Sequence, residues 1–254
     1  MSTYQIIFSP TGGTKKTANL FSKSFCPEST FIDLSDRSKD FSTLSFHAED
    51  TCIFAVPSYG GRVPEAAASR LRQMKGNNAV AILIVVYGNR DYEDTFTELQ
   101  DILTAAGFSC IAAIAAVAEH SIMHQFASGR PDAQDEKDLA DFAKSIHTKL
   151  DAGKAFSALA LPGNRPYRKY GTIPMSPQAG KSCIQCGLCA KECPVGAIPN
   201  DNPAKTNAQS CISCMRCVAI CPQKARSVNK ALLAAAGMKL KKACSSRKKN
   251  ELFL

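Results

Sequence analysis

Eight cysteines fall into two copies of one pattern. Cys183-Ile-Gln-Cys186-Gly-Leu-Cys189-Ala-Lys-Glu-Cys193-Pro is echoed 28 residues later by Cys211-Ile-Ser-Cys214-Met-Arg-Cys217-Val-Ala-Ile-Cys221-Pro. Each reads C-x2-C-x2-C-x3-C-P. A tight loop with thiols at that spacing can cap three corners of an iron–sulfur cubane. The fourth cysteine, set before a proline, points away and serves the neighbouring cubane. The rule groups Cys183, Cys186 and Cys189 with Cys221, and Cys211, Cys214 and Cys217 with Cys193. The chemistry is then one-electron transfer at two 4Fe–4S clusters. Paired zinc sites explain the pattern poorly. Zinc takes four tetrahedral ligands and needs neither the third cysteine at the next step nor the proline-flanked fourth, twice over. Gly187 relieves crowding where the first loop approaches an inorganic core, and Met215 replaces that glycine in the second loop, altering the hydrogen bonding expected at sulfur there.

The chain holds twelve cysteines. Its start, Met1-Ser-Thr-Tyr, leads directly into a strand-like segment, so no signal peptide is expected and the cytoplasm is the expected location. Thiols stay reduced there, which favours metal over disulfides. Cys26, Cys52 and Cys110 sit in or beside apolar segments and read as core. Cys244 lies in a basic tail whose charges should lower its pKa, which makes it a redox candidate.

A second constellation opens the chain. Phe8-Ser-Pro-Thr-Gly-Gly-Thr joins a first strand to a first helix. Small residues let the backbone wrap an anion, hydroxyls donate to it, and the helix start adds positive potential. Both G-x4-G-K-[ST] and G-x-G-x-x-G are absent from the sequence. The arrangement Ser9-x-Thr11-Gly12-Gly13-Thr14 resembles the phosphate loop of flavodoxins, which implies FMN. Two more loops follow strand ends, where doubly wound sheets bind ligands: Pro57-Ser58-Tyr59-Gly60-Gly61-Arg62 and Tyr87-Gly88-Asn89-Arg90-Asp91-Tyr92. By the same resemblance they flank the flavin ring, with Tyr59 and Tyr92 as stacking candidates and Gly60, Gly61, Gly88 and Asn89 supplying backbone. His120, after the fifth strand, reads either as a proton donor at the flavin edge or as a loop histidine facing water.

The elements that must position these groups alternate along residues 1–150. Strand-like Tyr4–Phe8, Thr30–Leu34, Thr51–Val56, Ala79–Tyr87 and Phe108–Val117 are interspersed with helical Thr14–Phe25, Pro64–Met74, Tyr92–Ala106 and Asp132–Leu150. Pro64 suits a first helical position, and Ala79–Tyr87 is apolar throughout, as a central parallel strand should be. The pattern, read as five β-α units, predicts an α/β doubly wound parallel sheet of five strands. Residues 151–180 carry Pro162, Pro166, Pro174 and Pro177 among glycines and read as an extended linker, pinned by Tyr167 and Tyr170. Residues 181–228 hold the cysteines. Residues 229–254 form a basic tail, with a helix expected over Ala231–Ala243, weakened by Gly237, that packs back on the first domain.

Net charge is +9, and thirteen Lys and Arg against three Asp and Glu lie in 181–254. Two clusters with four thiolates each offset part of that excess. No aromatic interleaving accompanies it, so nucleic acid is not an expected partner. No apolar run reaches the roughly 18 residues of a membrane span.

Residues 181–228 resemble the two-cluster bacterial ferredoxins throughout. Taken whole, the chain resembles a family of anaerobic prokaryotes that fuses a flavodoxin-like domain to a two-cluster ferredoxin (the EFR-type ferredoxins). That resemblance extends to Pro162-Gly-Asn-Arg-Pro-Tyr, Ala127-Ser-Gly-Arg-Pro-Asp and the tail Arg247-Lys-Lys-Asn-Glu-Leu-Phe-Leu. It implies a small α+β dicluster domain, two 4Fe–4S clusters, FMN, and a redox partner protein or small-molecule acceptor. Two functions follow. One is an electron carrier, favoured by an open flavin edge. The other is a flavin-dependent reductase of a quinone or nitro compound, favoured by a closed pocket with His120 over the ring. A third reading leaves the first domain flavin-free, as a docking module.

Overall fold

A computed structural model describes residues 1–153, 159–171 and 175–254; Pro174 of the expected extended linker lies outside them. The chain runs β1 (Thr3–Ile7), α1 (Gly13–Phe25), β2 (Thr30–Asp33), β3 (Thr51–Pro57), α2 (Glu65–Leu71), β4 (Val80–Tyr87), α3 (Thr95–Ala105), β5 (Ser109–Val117) and α4 (Ala133–Asp151). The cysteine-rich part follows as β6 (Gln178–Ala179), α5 (Leu188–Lys191), α6 (Arg216–Ala219) and β7 (Arg226–Ser227), and the tail forms α7 (Lys230–Cys244) and β8 (Glu251–Phe253).

The sheet order is β2-β1-β3-β4-β5-β8. Its first five strands are parallel, in the 2-1-3-4-5 order of the flavodoxin-like fold, whose ligand crevice lies outside the strand C-termini. The alternation in β4 shows how the sheet is held. Leu83, Val85 and Tyr87 enter the core under α2 and α3, while Ile82, Ile84 and Val86 enter the core under α1 and α4. All six are at most 5% exposed, and each such aliphatic side chain stabilises the fold by about 1.5–3 kcal/mol. α4 starts on a reciprocal cap, Asp132 accepting from the Asp135 N–H and Asp135 from the Asp132 N–H.

Three expectations need correction. The β2–β3 crossover carries only a 3-10 turn, Phe41–Thr43, so the alternation is not five complete β-α units; the segment's polar residues offer no helical stripe, and buried Phe41 and Phe46 plug the layer. Pro64 is the cap residue of α2 rather than its first helical residue. Among the described residues the sheet has six strands, because β8 adds antiparallel to β5 (Ala113↔Phe253, Ala115↔Glu251). The tail thus does return to the first domain, and covers the edge that β5 would otherwise expose.

Residues 159–171 lie along α3. Asp94 accepts from the Asn164 and Arg168 backbone N–H groups at 2.8 and 2.7 Å. The Tyr167 hydroxyl donates to Asp101, and the Tyr170 hydroxyl to the Val63 carbonyl at 2.8 Å. The cysteine-rich part is closed by the antiparallel β6–β7 pair. It docks through arginines, Arg70 donating to Pro194 O at 2.6 Å and Arg216 to Pro10 O at 3.4 Å, while Arg216 also pairs with Glu192 inside the cysteine-rich part at 2.5 Å.

Candidate functional site: a cavity walled by cysteine loop and strand ends

Cys183, Cys186, Cys189 and Cys221 line one small cavity. Cys214, 8% exposed, has its thiol pushed up to about 12, first by burial and then by the charges of Cys193, Cys217 and Cys211. Burial also lifts the Cys217 thiol to about 11, against the lowering charge of Arg226. Clustered, desolvated thiols of this kind are deprotonated outright once coordinated. Several sulfurs already accept N–H bonds, from Ala197 to Cys193 at 3.2 Å, Ala225 to Cys221 at 3.3 Å and Ser213 to Cys211 at 3.4 Å. Such bonds favour an anionic sulfur. The donor set therefore fits iron–sulfur clusters. Among the described residues, no three His, Cys, Asp or Glu side chains are set to share a single metal ion.

At the C-terminal end of the sheet lies a cavity of ≈380 Å³, within the range of small-molecule sites. Thr11, Gly13 and Thr14 form one end, at the start of α1. Gly12 makes the turn with φ +91°, and a Cβ on Gly12 or Gly13 would meet nothing within 4 Å, so the loop leaves room for an anion. Pro57, Ser58, Tyr59 and Gly60 form one wall, and Tyr87 and Gly88 another. These residues fit a flavin phosphate and ring.

The structure separates the other predicted positions from this space. Ser9 stands behind the loop, its hydroxyl accepting from the Lys15 N–H at 2.9 Å. Gly61 backs onto Glu93, which a Cβ there would strike. Asn89 is turned away and 3% exposed. Its amide donates to the carbonyls of Cys244 and Ser246, both at 2.8 Å, so it anchors the tail. Tyr92 packs edge-on between Tyr87 and Phe96 and donates to Glu251 of β8 at 2.6 Å. Of the two stacking candidates only Tyr59 lines the cavity.

Residues beyond the sequence reading complete it. Ile212 and Ser213, between Cys211 and Cys214, line the same cavity, as does Met175; Ala236, Lys239 and Leu240 bring α7 across it. Tyr59 lies where the charge of Cys214 acts on it, and its phenol is held well above the ordinary range, mainly by burial. The loop of one thiol set and the aromatic wall of the crevice are thus neighbours.

His120 lines the cavity rather than facing open water. Its Nδ1 accepts from the Ile122 and Met123 N–H groups at 3.2 and 3.3 Å, which leaves Nε2–H as a donor. Burial lowers its pKa to about 4, so at neutral pH it donates a hydrogen bond and carries no proton to release. Cys244 also departs from expectation. The helix turns it inward, 3% exposed, against Met123 and Phe126, and burial raises its pKa despite Arg90 and Lys248.

Residues 182–226 match the family described as 4Fe-4S dicluster domain. No curated protein matches the chain in sequence. Among solved structures, a short-chain flavodoxin associated with a non-canonical PDU bacterial microcompartment is similar at 17% identity, over 59% of this chain and 99% of that one, with a TM-score of 0.40. Rubredoxin oxygen:oxidoreductase from Desulfovibrio gigas is similar at 17% identity, over 59% of this chain and 36% of that one, with a TM-score of 0.43. Fusobacterium nucleatum flavodoxin bound to flavin mononucleotide is similar at 12% identity, over 59% and 99%, with a TM-score of 0.38.

Proposed function

We propose that this chain binds two 4Fe–4S clusters and one FMN and passes electrons between them within the molecule, as a flavo-iron-sulfur protein of the EFR-type ferredoxins acting in the cytoplasm. The observation that carries this reading is the shared wall. Ile212 and Ser213, inside the Cys211–Cys214 loop, face the same cavity as Tyr59 and the Thr11–Thr14 loop. When bound, the clusters would exchange single electrons with a flavin able to take one or two, so the pair links one-electron to two-electron chemistry.

The chain's own residues set the terms. Thr11, Thr14 and the α1 start hold the phosphate, while Tyr59 and Gly88 confine the ring. Arg216 links α6 to the phosphate loop through Pro10 O, which places the inner cysteine set beside the flavin loops. The other set is the outer one. There Cys186 is exposed beside Ile184, 63% exposed, and that edge is the exchange point with a redox partner protein.

A second reading, reduction of a small acceptor such as a quinone or nitro compound, draws on α7 crossing the cavity and on the Nε2–H of His120. Both readings require the cofactors. Protein purified anaerobically should contain about eight irons and release FMN on denaturation. Zinc in place of iron removes the cluster reading, and failure to retain FMN after reconstitution removes the flavin reading.

A further inference from the structure

The internal repeat relates the two cysteine sets closely, and then breaks. Cys193-Pro-Val-Gly-Ala-Ile198 aligns with Cys221-Pro-Gln-Lys-Ala-Arg226. In both copies the alanine N–H returns to the cysteine sulfur, at 3.2 Å in the first and 3.3 Å in the second. One residue later the first copy has an isoleucine and the second an arginine, each 3% exposed.

Arg226 is held on every arm. Its Nη1 donates to Pro177 O at 3.2 Å and Thr206 Oγ1 at 2.8 Å. Its Nη2 donates to the carbonyls of Pro203 and Lys205. The remaining donor, Nε, points to Cys189 Sγ at 3.2 Å. Those partners are neutral apart from the sulfur, and among the described residues no carboxylate forms an ion pair with Arg226. A guanidinium cannot shed its proton, and a buried one without a counter-charge is costly by several kcal/mol. An anionic cluster sulfur at Cys189 would supply the counter-charge that the other partners lack.

We infer that Arg226 makes the outer cluster, on Cys183, Cys186, Cys189 and Cys221, the one that holds the electron when the pair is singly reduced. The inference rests on the proposed cluster reading. One electron from a low-potential one-electron donor enters the pair, no bond is made or broken, and an already anionic site becomes more negative. A fixed cation in a dry setting favours that state. The inner set has Ile198 at the matching position. It also has Met215, 5% exposed, where the outer loop has Gly187. Its Cys193 and Cys214 are each 8% exposed, whereas Cys186 of the outer set is exposed to water. Burial disfavours added charge, so it acts in the same direction as the Arg226 contact. The charge of Arg226 also reaches Cys217 of the inner set, but its direct contact is at Cys189.

The test uses the full chain with both clusters and FMN in place, reduced by dithionite to one electron beyond the two that the flavin takes up, so that the cluster pair is singly reduced. Paramagnetically shifted cysteine β-proton NMR signals, assigned to each set, read where the electron resides. The wild type should favour the outer set at least tenfold, a difference of about 59 mV for one electron. Arg226→Lys should keep that preference, and Arg226→Gln should move the partition at least tenfold toward the inner set. An even partition in the wild type overturns the inference whether or not the Gln variant assembles, as does an unchanged partition in Arg226→Gln. Eight irons with even partition overturns it alone; a wild type without iron overturns the cluster reading with it.

Discussion

Replacing Arg62 with methionine tests how the cavity wall is held. Arg62 is 9% exposed and Glu98 fully buried. Arg62 Nε donates to Glu98 Oε2 at 2.7 Å and Nη2 to Oε1 at 2.8 Å. The Tyr167 and Tyr170 rings lie 4.9 and 4.2 Å from the guanidinium carbon. The substitution leaves the carboxylate with the Val63 N–H at 2.9 Å and the Tyr170 hydroxyl at 3.1 Å, but without its counter-ion. Breaking a buried pair this way costs about 3–5 kcal/mol. In a domain of this size each kcal/mol moves Tm by about 2–4 °C, so the fall should be roughly 6–20 °C. Anaerobic scanning calorimetry reads it. The damage should also reach the flavin site, because Arg62 and Tyr59 exchange backbone hydrogen bonds at 3.0 and 3.2 Å. FMN, followed by fluorescence on release, should bind more weakly. Adding Glu98→Gln, which keeps an acceptor for Val63 while removing the orphaned charge, should restore most of the lost Tm. A fall under about 2 °C, or a double variant worse than the single one, would refute the argument.

Other outcomes follow from the same geometry. Thr11→Leu with Thr14→Leu should abolish FMN retention and leave the iron content unchanged, as read by flavin and iron assays on one preparation. His120 has a native pKa near 4 against an ordinary 6.5, so the unfolded chain binds the extra proton first. Its contribution to stability is complete above pH 6.5 and is lost as pH falls from there toward 4, by up to about 3 kcal/mol; His120→Asn should flatten that part of a Tm-versus-pH curve. Asn250 accepts from the Val117 N–H at 3.0 Å and donates to Asp135 at 2.9 Å. Asn250→Ala should therefore lower stability by about 1–3 kcal/mol through the orphaned N–H, visible as a lower Tm.

Much of this was legible because it is local. Five strands, the Ser9–Thr14 loop at the cavity's end and both cysteine runs are written in contiguous residues. What escaped depends on distant segments. Glu251-Leu-Phe is too short and too polar at its start to read as a strand; it becomes one because β5, more than 130 residues earlier, offers a free edge. Asn89 and Tyr92 sit in the right loop, but the tail claims their side chains. Cys244 has basic neighbours in sequence, while the helical period turns it toward Met123 and Phe126. Ile212 and Ser213 look like spacers between ligands, and only the docking of the cysteine-rich part makes them a cavity wall. Arg226 stood in the repeat all along, as a departure from Ile198 whose meaning required knowing that it is buried and aimed at sulfur.

The central claim is that electrons pass between cysteine-held clusters and flavin inside one chain. Rapid one-electron reduction of the loaded protein, with absorbance followed at cluster and flavin wavelengths, tests it most directly. The account predicts that flavin reduction follows cluster reduction with a first-order rate that stays constant as protein concentration is varied. A rate proportional to protein concentration, or clusters that reduce while the flavin stays oxidised, would contradict it.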